Sequence, residues 1–173
     1  FQLKAVAPNL DLCVEAARKA IRAARVNPLD IDLHDTDDLT VSKEGNLAAV
    51  LGWRSMLTDK GFDPLLLDSN GVGGFHLLLV FADPMSTDSV HEAGRQLVAD
   101  YERRGLDQRP EIFPDKPTWD RYGDWLRLPG RHHTRDHYTR VWNDEPFAEE
   151  PWLEGHDAID RILATRTADA AAL

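Results

Sequence analysis

Between residues 65 and 82 the chain reads LLLDSNGVGGFHLLLVFA, two apolar runs joined by a glycine-dense turn. Continuous apolar runs of this length, bounded by turn signals, predict two buried strands. The connection holds Ser69, Gly71, Gly73 and Gly74. Glycine there permits backbone angles closed to other residues and lets a ligand approach the main chain. His76 stands at the threshold of the second run. It is either a hydrogen-bonded histidine of an ordinary β-hairpin or the polar group of a site.

The rest of the chain must cover those strands. With 173 residues and 42% hydrophobic content, there is enough chain for one core. The reading is a single domain over residues 1–173, either whole or a fragment of a larger protein. No apolar run approaches the roughly 20 residues needed to span a bilayer. No charged leader precedes an apolar segment at the start, so a cytoplasmic protein without membrane contact is expected. The single cysteine, Cys13, excludes an internal disulfide framework and a thiolate-built zinc site. A net charge of −10 argues against non-specific coating of nucleic acid. Residues 116–140 nevertheless concentrate Lys116, Arg121, Arg127, Arg131, Arg135 and Arg140 with three histidines. That stretch is either a solvated surface or a local anion site.

Short strands are expected at residues 1–6, 26–33, 111–113, 125–128 and 138–142. Helices are expected at 9–25, 44–60, 86–104 and 155–164, with Gly61 and Gly105 as stops. Helix 44–60 is read as burying Leu47, Val50, Leu51, Met56 and Leu57. Strands alternate with helices early and cluster later, which implies an α+β or mixed α/β layer fold.

Three places carry possible chemistry. In Leu29-Asp30-Ile31-Asp32-Leu33-His34, a strand's period of two sets Asp30 and Asp32 on one face. Two such carboxylates repel unless a cation lies between them, and oxygen ligands suit Mg²⁺ or Mn²⁺. The competing reading is an acidic loop, since Asp35, Asp37 and Asp38 continue the run. The glycine of an EF-hand loop is missing, and an Asp-x-Asp phosphatase of the haloacid dehalogenase type is a minor rival. Glu111 opens the third candidate, a short strand between prolines. His133 and His137 have the i, i+4 spacing of a metal pair, but Pro129-Gly130 argues against the helix that spacing needs. Structural or anion-contacting roles are expected instead for His132, His133 and His137. No phosphate loop, nucleophile elbow or dinucleotide fingerprint is present.

Taken together, Asp30-Ile31-Asp32, the turn from Ser69 to His76, and Pro110-Glu111-Ile112-Phe113-Pro114 resemble, in order, the three signatures of the archaeo-eukaryotic primase superfamily. The tract Trp125-Leu126-Arg127-Leu128-Pro129-Gly130-Arg131-His132-His133 is similar to a segment of its bacterial and mobile-element branch. The resemblance spans about residues 28–142. It implies an α+β fold, with a mixed or antiparallel sheet like that of an RNA-recognition module, flanking helices and a small accessory αβ module. It implies a DNA primase or polymerase that transfers nucleotides from NTPs or dNTPs to a 3′-hydroxyl on a single-stranded DNA template. A helicase or other replication module is an implied partner in the same polypeptide. Asp30, Asp32 and Glu111 would hold Mg²⁺ or Mn²⁺, with His76 beside them as a further catalytic group. Ser69, Gly73, Gly74, His76, Lys116, Arg127 and Arg131 would bind nucleotide phosphates, assisted by backbone N–H groups of residues 71–74. The alternative is a non-catalytic module of the same fold that binds nucleic acid or nucleotide.

Overall fold

A computed structural model of the protein describes residues 26–31, 43–118, 129–145 and 147–169, the first of these segments by its backbone course alone. The expected elements at residues 1–6, 9–25 and 125–128 lie outside the described residues, as do Asp32 and Arg127.

The two apolar runs form the middle of the sheet. Strand β2 (Leu65–Asp68) and strand β3 (Phe75–Val80) are almost wholly buried and pair antiparallel across the glycine turn. On the far side of β3 lies β1 (Val26–Ile31), then β4 (Glu111–Ile112); beside β2 lie β5 (Arg140–Trp142) and β6 (Trp152–Leu153). The six strands run in the order β4-β1-β3-β2-β5-β6, every neighbouring pair antiparallel. The described architecture is thus mixed α+β, with helices α1 (Lys43–Asp59), α2 (Thr87–Leu97) and α3 (Gly155–Leu163). None of them is long and apolar enough to cross a membrane.

Alternation along the strands divides the core in two. Leu66, Phe75, Leu77, Leu79, Phe81 and Ile112 pack with Ala49, Val50, Trp53 and Leu57 of α1. On the other face Leu65, Leu67, Leu78 and Val141 meet Ala158 and Ile162 of α3. A sheet buried on both faces explains why β2 and β3 read as unbroken apolar runs rather than as alternating ones.

Two helices differ from their sequence reading. The buried stripe of α1 is Asn46, Ala49, Val50, Trp53 and Leu57, while Leu47, Leu51 and Met56 only flank the core. Trp53 dominates because its fully buried ring also donates its indole N–H to Asp100 Oδ1 at 2.8 Å. The helix expected over 86–104 is broken. α2 starts where the Ser86 side chain accepts the Ser89 N–H and ends at Leu97, and a separate 3₁₀ turn follows at Tyr101–Arg104. The break falls where Val98 is buried and Asp100 is held by Trp53 and by Arg104 at 2.9 Å. Gly105 closes the turn in a left-handed conformation at φ 83°.

Candidate functional site

Register brings the three separated signatures to one row of the sheet. Asp30 in β1 pairs with His76 of β3 on one side and with Glu111 of β4 on the other. Residues directly opposite one another in antiparallel strands share a face, with Cα atoms roughly 4.5–5.5 Å apart. His76 and Glu111, both opposite the same residue, therefore share a face, roughly 10 Å apart across two strand spacings. The row continues to Leu67 of β2, the partner of His76 on its other side.

The members of the row differ in environment. His76 is 5% exposed, whereas Glu111 is exposed at the start of a two-residue edge strand. Ile112 anchors that strand from below: its side chain packs on Gly94 of α2, where an added Cβ would lie 3.3 Å from Ile112 Cβ. His91, one turn earlier in α2, places Nδ1 3.0 Å from the Pro114 carbonyl oxygen just beyond β4. The apolar residue turns inward and the acid outward, as the strand period requires.

An acid opposite an acid in neighbouring strands is unfavourable unless a cation or a hydrogen-bond donor compensates. Oxygen donors of this kind fit Mg²⁺ or Mn²⁺. Among the described residues, no group of three or more His, Cys, Asp or Glu side chains is gathered as a metal site. Asp32, the third acid of the expected set, lies outside them. So do Asp32 and His34 as the phosphatase reading would need them.

The glycine turn is built differently from the expected phosphate cradle. The Gly71 N–H donates to Asp68 Oδ1 at 2.8 Å. Val72 and Gly74 donate their N–H groups to Asn70 Oδ1 at 3.0 and 2.8 Å. Ser69 N–H donates to the Gly74 carbonyl at 3.0 Å. These side-chain-built turns are the common use of Asp and Asn before glycine. The N–H groups of Gly71, Val72 and Gly74 are thus engaged within the turn. Ser69, Gly73 and Gly74 are themselves buried.

From α1, Lys43 Nζ donates to the Gly71 carbonyl at 3.2 Å and Asn46 Nδ2 to the Gly73 carbonyl at 2.9 Å. Gly71 and Gly73 take φ values of 77° and 112°, which favour glycine. At Gly71 there is also no room, because an added Cβ would lie 2.8 Å from His137 Nδ1.

The histidine-rich stretch is a hairpin, not a helix. Arg131 bridges Tyr138, Thr139 N–H donates to the Gly130 carbonyl at 2.9 Å, and His132 N–H donates to the His137 carbonyl at 2.8 Å. The rings of His132 and His133 stack with centroids 4.7 Å apart. His137 points elsewhere, with Nε2 3.3 Å from the Asp68 carbonyl oxygen and 3.6 Å from its Oδ1. Arg140, at the foot of the hairpin, donates through Nε and Nη2 to Asp68 Oδ2 and lies over the Trp152 ring.

Of the expected phosphate contacts on this side, Arg131 is exposed and 3.6 Å from Asp136. Lys116 is likewise exposed, with Nζ 4.0 Å from Asp115.

Sequence reasoning missed Asp68, Asn70, Asn46 and Arg140 as builders of the turn, while the structural or anion-contacting role expected for His137 did not point to the turn it packs against. The Asp-Ser-Asn-Gly string carried the signal for the first two. No family model matches the chain, and no curated protein matches it.

Proposed function

We propose that this domain is the catalytic core of a DNA primase-polymerase, transferring a nucleotide from a (d)NTP to a 3′-hydroxyl on a single-stranded DNA template. The observation that carries the reading is the register row in which Asp30 lies between His76 and Glu111. It brings an imidazole and two acids, from segments 46 and 35 residues apart in sequence, to adjacent strands. The order of the three signatures along the chain supports it independently.

In this reading Asp30, Asp32 and Glu111 would hold Mg²⁺ or Mn²⁺. When bound, such ions supply Lewis-acid stabilisation of the reacting phosphoryl oxygens. His76 donates a hydrogen bond to a nucleotide phosphate from a buried position, where little solvent competes. Arg127, Arg131 and Lys116 offset the charge of the triphosphate and template. The glycine turn contributes a fixed shape, since its Asp68 and Asn70 contacts hold the backbone just before His76. That matters because phosphoryl transfer depends mainly on positioning and electrostatics.

The test is incorporation of labelled nucleotide on a primed single-stranded template with Mg²⁺ or Mn²⁺. Wild type should extend the primer, and Asp30→Asn, Glu111→Gln and His76→Ala should each lower the rate by about 100-fold or more. Wild-type inactivity with both metals would sink the enzyme reading. One observation favours a second reading, a non-catalytic nucleotide- or nucleic-acid-binding module. The turn and the basic hairpin are joined by contacts that do not involve the acidic row. Binding of template without incorporation would select it.

A further inference from the structure

The Asp68 carboxylate holds the turn yet touches no metal- or phosphate-binding residue of the proposed site by a named contact, and its side chain is wholly buried, at 0% exposure. A buried carboxylate is costly unless it is paired and hydrogen-bonded. Its partners come from both sides of the sheet end. Oδ1 accepts the Gly71 N–H of the turn, and Oδ2 accepts from Arg140 at the foot of the hairpin. His137, at the hairpin's returning arm, faces the Asp68 carbonyl oxygen and Oδ1. The same imidazole fills the space that a Cβ on Gly71 would need. Around Asp68, then, stand the Arg140 guanidinium of β5 and the His137 imidazole of the hairpin, with Glu154 Oε1 behind Arg140 at 3.8 Å. The hairpin carries Arg131, His132, His133 and Arg135 against a single acid, Asp136. It contains Arg131 and Tyr138 as exposed side chains.

We propose that Asp68 is a positioning residue that clamps the glycine turn and the basic hairpin 130–139 into one unit, so that the hairpin's cationic side chains stand beside the turn as a fixed wall for the triphosphate of a nucleotide. This inference rests on the primase-polymerase reading for its ligand, but its structural half stands apart from catalysis. Lys43 and Asn46 hold the turn from the opposite side through its carbonyls.

The test uses Asp68→Asn, which keeps the shape and an acceptor for Gly71, and His137→Gln, which loosens the clamp from the hairpin side. Amide hydrogen exchange is followed in the full chain at residues 71–74, 130–139 and 77–79, and dATP affinity with Mg²⁺ is measured by calorimetry. Both variants should speed exchange in the turn and the hairpin together, by about tenfold or more, with residues 77–79 unchanged. The Kd for dATP should rise by about tenfold, and Glu in place of Asp68 should restore part of it. If Asp68→Asn does not fold, His137→Gln decides the matter alone. Loosening of one segment without the other, unchanged dATP affinity, or no dATP binding by wild type overturns the clamp. Wild type that binds dATP and shows the coupled loosening, yet extends no primer, leaves the clamp standing and removes the polymerase reading.

Discussion

The two ends of the candidate site are built on opposite principles. On the β2–β5 side, a buried carboxylate holds an arginine and faces a histidine, and it and two asparagines bond the backbone of the glycine turn. Phe75 continues that side by stacking on Trp152, with centroids 5.9 Å apart and planes inclined by 6°. On the β1–β4 side, a two-residue strand holds an exposed glutamate opposite an aspartate. The first region buries its polar groups, while the second sets an acid at the surface. On the proposed reading, substitutions in the two regions should therefore have different signatures.

The largest difference is expected between Asp68→Ala and Glu111→Gln. The first leaves Arg140, whose side chain is 25% exposed, without its main partner. It should cost about 3 kcal/mol, at the lower end for a broken buried pair because Arg140 retains some solvent. For a chain of this length that lowers Tm by roughly 6–12 °C. Glu111→Gln changes an exposed side chain at a sheet edge, so stability should change by no more than about 0.5 kcal/mol, while on the proposed reading incorporation is lost. Thermal unfolding of both proteins side by side checks the contrast. Equal losses would mean that the acidic edge is structural.

Gly71→Ala sharpens the turn side at an intermediate level. The left-handed φ and the 2.8 Å approach to His137 Nδ1 act together. The expected loss is about 2 kcal/mol, and truncating the imidazole by His137→Ala should make the glycine change less costly. A double-mutant cycle by urea unfolding reads that coupling. Strict additivity would show that the backbone angle alone is responsible.

What the sequence reveals follows from how local each signal is. β2, β3 and their turn were legible because apolar runs and glycines are contiguous in the chain. The helix stops at Gly61 and Gly105 were legible for the same reason, since both take left-handed angles. The stripe of α1 was legible at Val50 and Leu57 but not at Ala49, Trp53 or Asn46, and Asn46 looks solvent-facing until its acceptor, the Gly73 carbonyl, is known. β6 was not read at all, since two residues carry no period. Asp68 was not singled out in the sequence. Its burial comes from Arg140, 72 positions further on, and local pattern does not encode such pairings. The neighbourhood of Asp30, His76 and Glu111 was expected only through the family resemblance, because strand order is a tertiary property.

The smallest effect lies outside both regions and measures the scaffold that joins them. Burial pushes the Asp100 carboxyl up, but hydrogen bonds from Arg104 and the Trp53 indole, with the Arg104 charge, outweigh it and hold its pKa below the usual aspartate value. A depressed folded pKa means that the ionised form is bound more tightly in the native state. The resulting stability is present above the unfolded value of about 3.9 and is lost as pH falls through the folded value. Asp100→Asn keeps an acceptor for Trp53 but cannot ionise. It should cost about 1 kcal/mol or less near pH 7, given the 38% exposure of the Asp100 side chain. The difference from wild type should shrink as pH falls from about 3.9 through the lower folded value, below which both proteins are neutral at that position. Chemical unfolding across that range reads it directly. A gap that stayed constant down to strong acid would assign the loss to packing against Trp53 rather than to charge, and α1 would then be tied to the 3₁₀ turn by its indole alone.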